Sequence, residues 1–236
     1  MNTSKARNQA GSLTPLETIQ RQKITLLNFR KRPVIIYLTE EELDLLYLQT
    51  FEDRTLDRIR DIFCFGCYTG LLYSYLSTLT SDHIQNGMIR KTMVKNSAKT
   101  IEVPILPMAQ EILDKYNYSF SALPTYTDQP FNRFIKKCFE EAKINTPFTV
   151  TKKPGNKPIE VTKSKWEFIV VHTARKTFIN LAHKYDMPQS LIMDIVGHSD
   201  YETFIKYRKY EPEKEKEDMK KAFQGYTERI RAKKNK

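Results

Sequence analysis

The 236-residue sequence has few of the residues that mark secreted, fibrous or membrane-spanning proteins. Its three cysteines, Cys64, Cys67 and Cys138, are an odd number, which argues against a disulfide framework and for a reducing compartment. No apolar run approaches the roughly 20 residues that cross a bilayer, and residues 1–30 lack the apolar core of a secretory signal. With 7 glycines and 40% hydrophobic residues, the chain is neither collagen-like nor wholly disordered. We therefore expect a globular cytoplasmic protein without a membrane partner.

Positive charge is the strongest bias in the composition. Lys and Arg number 39 against 28 Asp and Glu, which gives a formal net charge of +11. Residues 1–33 hold seven basic side chains and one acid, and the tail from Arg231 to Lys236 is also basic. Such an excess fits a polyanionic partner, with nucleic acid first and an anionic membrane surface second.

Composition divides the chain into three predicted segments. Residues 1–33 are polar and basic and are predicted to be a flexible arm or linker. Residues 34–226 carry the apolar periodicity of a folded domain, and residues 227–236 form a basic tail. Thr39 and Glu42 have the spacing of a capping box at a helix start. Helical spacing predicts further helices at about 55–67, 71–76, 108–116, 131–143, 172–185, 189–196, 201–210 and 213–223.

Strand signals are confined to two places. Residues 88–94 and 100–105 flank the polar turn 95–99 and predict a β-hairpin. The β-rich run at 166–171 predicts a third strand or a buried extended segment, and residues 151–158 predict a basic loop. The predicted fold class is therefore α+β, mainly helical, with one small antiparallel sheet.

Several chemically capable side chains follow one another in a particular order. His172 and Arg175 lie at a strand-to-helix junction, where their i, i+3 spacing lets both reach one site. His198 follows a glycine after an apolar helix, Tyr207 comes nine residues later, and Lys95 lies in the hairpin turn. Taken singly, each has an ordinary structural explanation, so the order along the chain carries the prediction.

A redox or zinc pair at Cys64-x-x-Cys67 is a competing interpretation. We reject it because the two cysteines lie inside an apolar helical run and Cys138 is distant in sequence. No second cysteine pair completes a tetrahedral zinc site.

This order of motifs resembles the catalytic domain of the tyrosine recombinase (phage integrase) family, especially the integrases of Bacteroides-type mobile elements. The resemblance covers roughly residues 35–226. The matching stretches are YLTEEEL (37–43), DIFCFGCYTGLLYSYLSTLT (61–80), VPI (103–105), HTARKTF (172–178) and GHSDYETFIKY (197–207).

The resemblance implies an enzyme that breaks and rejoins double-stranded DNA, acting in the cytoplasm at the bacterial nucleoid. A tyrosine hydroxyl attacks a backbone phosphate and forms a 3′-phosphotyrosyl link, which a partner strand later reverses. Neither a metal nor a nucleotide cofactor is implied, because the bond energy is kept in the protein–DNA ester. The phosphate gains charge in the transition state, which suits arginine and lysine donors.

Roles are implied for the matching positions. Tyr207 corresponds to the nucleophile and Arg175 to the second family arginine. His172 and His198 correspond to phosphate-binding or proton-transfer groups, and Lys95 to the general acid. Two neighbouring lysines, Lys91 and Lys99, are alternatives for that acid. The segment after the nucleophile often packs on a neighbouring subunit in this family, which implies self-association on DNA through Met219, Phe223 and Tyr226.

Two departures from the family pattern favour an alternative function. The first family arginine is replaced by Leu72, and the acid three residues later is replaced by Tyr75. Either Arg90 or Arg60 fills the gap, or the protein is a catalytically impaired remnant that only binds DNA. In addition, residues 1–33 are too polar to form the helical domain that usually closes a clamp on DNA.

Overall fold

The computed structural model describes residues 34–92, 100–118, 120, 127–152 and 158–234. Short 3-10 turns lie at Ser81–His83 and Lys165–Phe168. The strands of the described ranges are β1 (Ile84–Gln85), β2 (Met88–Thr92), β3 (Thr100–Pro104), β4 (Pro147–Lys152) and β5 (Ile159–Ser164). The helices are α1 (Glu40–Leu48), α2 (Arg54–Thr69), α3 (Tyr73–Leu76), α4 (Pro107–Lys115), α5 (Asp128–Glu141), α6 (Thr173–Lys184), α7 (Gln189–Ile195), α8 (Tyr201–Ile205) and α9 (Pro212–Lys234).

Helix α2 is the centre of the core. Every residue from Ile59 to Thr69 is buried, so the helix is covered on all sides, as expected of a helix inside a domain. It packs against α1, α4, α5 and α6. Fully buried aromatic rings such as Phe63, Phe65 and Phe139 fill the spaces between these helices. The arrangement confirms the predicted fold class of a mainly helical α+β domain.

Local side-chain and backbone chemistry sets the start of α1 and the end of α2. The Thr39 hydroxyl accepts a hydrogen bond from the Glu42 amide, and the Glu42 carboxylate accepts one from the Thr39 amide. This confirms the predicted capping box at α1. Helix α2 ends at Gly70, whose φ of 68° lies in the left-handed region. Glycine suits this position because it lacks the Cβ that penalises such a backbone.

Strands β1, β2 and β3 form an antiparallel sheet in that order. Arg90 on β2 faces Glu102 on β3, and the two side chains form an exposed ion pair at 2.9 Å. Alternation along β2 turns Ile89 and Lys91 inward. The predicted hairpin is confirmed, whereas its turn, with Lys95 and Lys99, lies outside the described residues.

A second antiparallel pair, β4 with β5, was not predicted. The loop expected at 151–158 overlaps the last two residues of β4, and the short alternating runs on either side of it were given no strand in the prediction. Of the two predictions for 166–171, the strand is wrong, because Lys165–Phe168 is a 3-10 turn whose last hydrogen bond runs from the Ile169 amide to the Trp166 carbonyl. The buried extended segment is found only at Ile169. A single fully buried anchor, Ile169, explains the apolar character of this run.

Helix α9 extends beyond its predicted end at residue 223 and crosses the expected boundary between residues 226 and 227. Its first turns are held to the domain by an ion pair from Lys214 to Asp186 and another from Arg208 to Glu215. The helix is strongly charged. No helix in the described ranges is long and apolar enough to cross a bilayer.

Candidate active site

Tyr207 lies against two histidines that are distant from each other in sequence. Its hydroxyl is 2.9 Å from Nε2 of His172, which precedes the first residue of α6. Its ring is also 4.9 Å, centre to centre, from the His198 ring. Burial, together with the charges of Arg175 and Lys176, lowers the pKa of His172 below its ordinary value. The neutral imidazole is therefore favoured beside the phenol, and a neutral imidazole nitrogen is able to accept a proton.

Arg175 is a buried cation next to this pair. Only 5% of the residue is exposed, and its Nη1 donates a 3.1 Å hydrogen bond to the Gly70 carbonyl. Within the described ranges its Nε has no hydrogen-bond partner. Burial lowers the pKa of Arg175 to about 10, and the nearby phenols of Tyr207 and Tyr75 only partly offset that shift. A buried guanidinium with a free donor would gain from a bound anion.

A pocket of about 290 Å³ opens in front of Arg175, between the start of α3 and the start of α6. The lining includes the cation of Arg175, the imidazole of His172 and the carboxylate of Asp128, so an anionic group would be bound through Arg175. Leu72, where the resemblance led us to expect an arginine, contributes to the same wall. The pocket is lined by Leu71, Leu72, Tyr73, Ser74, Asp128, Val171, His172 and Arg175.

Neither arginine that we considered as a substitute lines this pocket. Arg60 is buried in α2, where it pairs with Asp57 and Asp61. It also donates to backbone carbonyls at the end of α1. Arg90 lies on the exposed face of β2 in its pair with Glu102. The gap left at Leu72 is therefore not filled by either side chain.

Of the three lysines considered for the general acid, Lys91 is described by the structure. Lys95 and Lys99 lie outside the described residues. Lys91 is 8% exposed, and its Nζ donates to the carbonyl and the hydroxyl of Thr78, both at 2.7 Å. Burial lowers the pKa of Lys91. Lys91 does not line the pocket described above.

Two asparagines that the sequence analysis did not single out support the site. Asn132 on α5 accepts a 2.6 Å hydrogen bond from the Val171 amide, directly before His172. Asn180 on α6 bonds the backbone at both Tyr207 and Lys209. An asparagine inside a predicted helix is a weak signal for such a role, because periodicity does not show which distant backbone group it bonds.

The cysteines take no part in this site. Cys64, Cys67 and Cys138 are buried free thiols, and burial raises the pKa of each. Over the part of the chain that the structure describes, no group of three His, Cys, Asp or Glu side chains is placed to hold a metal ion.

Comparison with known proteins rests on structure alone. No protein-family model matches the sequence, and no curated protein matches it. Among solved structures, XerH site-specific recombinase bound to palindromic difH substrate in a post-cleavage complex matches 80% of this chain, with 13% identity and a TM-score of 0.56. XerA recombinase matches 82%, with 17% identity and a TM-score of 0.55. The Tn1549 transposon integrase in complex with circular intermediate DNA matches 84%, with 14% identity and a TM-score of 0.56.

These likenesses define a class of fold, namely that of site-specific recombinases and integrases. More particularly, the chain has the fold of the tyrosine recombinase catalytic domain, which confirms at the level of fold the resemblance drawn from its motifs. The chain spans 53% of the length of the XerH chain, 66% of the XerA chain and 69% of the Tn1549 integrase chain.

Proposed function

We propose that this chain is the catalytic domain of a site-specific DNA recombinase or integrase of a mobile element, which acts through a 3′-phosphotyrosyl intermediate. The observation that carries the proposal is the 2.9 Å contact between the Tyr207 hydroxyl and His172 Nε2, beside the buried cation of Arg175. Three segments of the chain, near residues 70, 172 and 207, meet there. A phenol, a neutral imidazole and a guanidinium with a free donor suit attack on a phosphodiester.

The proposed first step forms one P–O bond and breaks another. The Tyr207 oxygen attacks phosphorus while its proton passes to His172, and Arg175 holds the non-bridging oxygens through its fork of N–H donors. For His198 we propose a part in phosphate binding, which its ring contact with Tyr207 supports. The 5′-oxygen of the broken strand leaves with a proton, for which Lys95 remains the predicted donor. Attack by the 5′-hydroxyl of a partner strand reverses the step and frees Tyr207.

Double-stranded DNA is the proposed partner because of both charge and likeness. The net charge of +11 favours a polyanion. The similar structures of XerH and the Tn1549 integrase are complexes with DNA. We also propose self-association on DNA through α9, where Met219, Phe223 and Tyr226 are 67%, 55% and 56% exposed.

A second candidate function is DNA binding without cleavage. Leu72 lines the pocket beside Arg175, so one phosphate donor expected from the resemblance is absent there. Losing a single transition-state donor costs about 10²–10³ in rate. Such a loss would leave binding largely intact, since affinity for DNA rests mostly on many phosphate contacts.

One experiment separates the two candidates. The protein is incubated with a pool of nicked suicide duplexes made from the DNA that flanks its gene, and covalent complexes are detected after denaturation. The first candidate predicts an adduct that disappears in Tyr207→Phe and persists in the control variants Tyr201→Phe and Tyr210→Phe. Salt-sensitive binding without any adduct would favour the second candidate, and the absence of both would reject the two together.

A further inference from the structure

The side chain of Asn180 joins helix α6 to the backbone on both sides of Arg208. Its Nδ2 donates to the Tyr207 carbonyl at 2.8 Å and to the Lys176 carbonyl at 2.7 Å. Its Oδ1 accepts the Lys209 amide at 2.7 Å. Both ends of one buried amide are therefore used, and two of its three bonds hold the segment that carries the candidate nucleophile.

Helix α6 connects Asn180 to two residues of the site. His172 precedes the first residue of α6, Arg175 lies in its first turn, and Asn180 follows Arg175 by five residues. Asn180 itself is 7% exposed, so water competes poorly for its bonds. Because Tyr207 lies beyond the end of α8, its backbone is not fixed by a continuing helix. The amide of Tyr207 donates to the Phe204 carbonyl at 2.9 Å, and the Asn180 side chain adds bonds to the Tyr207 carbonyl and the Lys209 amide.

We propose that Asn180 is a positioning residue, which sets the Tyr207 phenol against His172 and Arg175 by clamping the backbone at residues 207 and 209. This inference rests on the proposed function of Tyr207 and adds a residue to it. The clamp requires a side chain that carries a donor and an acceptor on one carbon, as the amides of asparagine and glutamine do. Asparagine is the shorter of the two and reaches the segment from α6 as the structure stands.

A matched control lies on the same helix. The hydroxyl of Thr177 is buried, accepts the Leu38 amide at 2.9 Å and donates to the Thr173 carbonyl at 3.0 Å. Thr177→Val thus removes buried hydrogen bonds of α6 to residues other than Tyr207 and Lys209. It reproduces the general cost of losing buried hydrogen bonds without touching the clamp.

The first readout is independent of DNA and uses hydrogen exchange of the full chain, resolved at the Lys209 amide. Asn180→Leu should speed exchange there about tenfold, as expected for loss of one hydrogen bond. Asn180→Asp keeps the acceptor and should retain most of the protection. Asn180→Ala removes the acceptor, should speed exchange as the leucine variant does, and serves if the leucine variant fails to fold. Thr177→Val should leave exchange at Lys209 unchanged. Equal exchange in wild type and Asn180→Leu would overturn the clamp.

The second readout is the rate of covalent adduct formation. A misplacement of about 1 Å costs about 10² in rate, so Asn180→Leu should slow adduct formation by about 10–100-fold at unchanged DNA affinity. Thr177→Val should be near wild type in both. An unchanged rate in Asn180→Leu would overturn the positioning role. If wild type forms no adduct, the proposed function of Tyr207 fails, and the exchange at Lys209 alone decides whether Asn180 holds this segment.

Discussion

Arg175 is tied to the end of the central helix, because its Nη1 donates to the carbonyl of Gly70. Gly70 ends α2 with a left-handed backbone, and this turn leads directly to Leu71 and Leu72 in the pocket wall. The guanidinium thus depends on a backbone conformation set 105 residues earlier in the chain. Folding of the core and placement of the cation are therefore coupled.

Gly70→Ala should destabilise the fold by more than the strain of its backbone alone. A Cβ at this position would lie 2.5 Å from Cδ1 of Phe178, in addition to the cost of about 1–3 kcal/mol for a strained backbone. Gly87→Ala is the matched control, since Gly87 has a similar φ of 71° and nothing within 4 Å of an added Cβ. Urea unfolding measures both. Equal losses would show that Phe178 moves aside without cost.

Leu72→Arg should restore a phosphate donor in the pocket. An arginine there would share the wall with Arg175 and His172, and we expect adduct formation to rise by about 10²–10³. Tyr75→Asp is combined with it in a second variant, because Tyr75 is buried near Arg175 and the two arginines would repel each other without an acid. Leu72→Met is the control for side-chain volume. No gain in either arginine variant would mean that Leu72 does not limit the reaction.

The general acid among the hairpin lysines can be identified by changing the leaving group. Lys91→Met, Lys95→Met and Lys99→Met are compared on DNA with a 5′-bridging sulfur at the scissile phosphate. A thiolate leaves without a proton, so only the variant that lacks the true acid should regain its rate on this substrate. We predict rescue for Lys95→Met. The bonds of Lys91 to Thr78 predict a modest effect that sulfur does not reverse. Rescue of Lys91→Met instead would transfer the role.

How far the sequence predicts this molecule depends on the range of the contact involved. The capping box at Thr39 follows from local spacing, whereas helix α2 continues two residues beyond its predicted end, to Thr69. The order of motifs also led to the recombinase fold, although the comparisons leave the roles of individual residues as proposals. The pairing of β4 with β5 was missed, because their short alternating runs flank a polar segment that is typical of a loop.

The supports of the site were missed for a different reason. Asn180 reaches Tyr207 and Lys209 across 27 and 29 residues, and Asn132 reaches Val171 across 39. An asparagine within a helical pattern does not indicate which distant backbone it bonds. The motif alone showed that Leu72 stands where an arginine was expected. Only the fold shows that Arg60 and Arg90 are paired with acids elsewhere.

Acid should destabilise the fold through its histidines, and His172 gives the most specific test. Burial lowers the pKa of His172 in the folded state relative to about 6.5 in the unfolded chain. The unfolded state therefore binds more protons between these two pKa values, and stability falls as pH drops below about 6.5. His83 and His183 shift in the same direction for the same main reason. The stability that His83 and His183 lose in acid is still lost when His172 is replaced.

His172→Gln should accordingly flatten the dependence of unfolding free energy on pH between pH 7 and pH 5. Glutamine keeps a polar group near the Tyr207 hydroxyl but does not titrate, so its difference from wild type isolates the contribution of one histidine. His83→Gln is a comparison variant that should also flatten the slope, because burial lowers the pKa of His83 as well, although His83 bonds Thr80 rather than Tyr207. The double variant should therefore be flatter than either single variant. Urea unfolding at several pH values measures the slopes. If the slope in His172→Gln equals that of wild type, the pKa of His172 is not lowered in the folded state. The neutral imidazole beside Tyr207 would then lose its support.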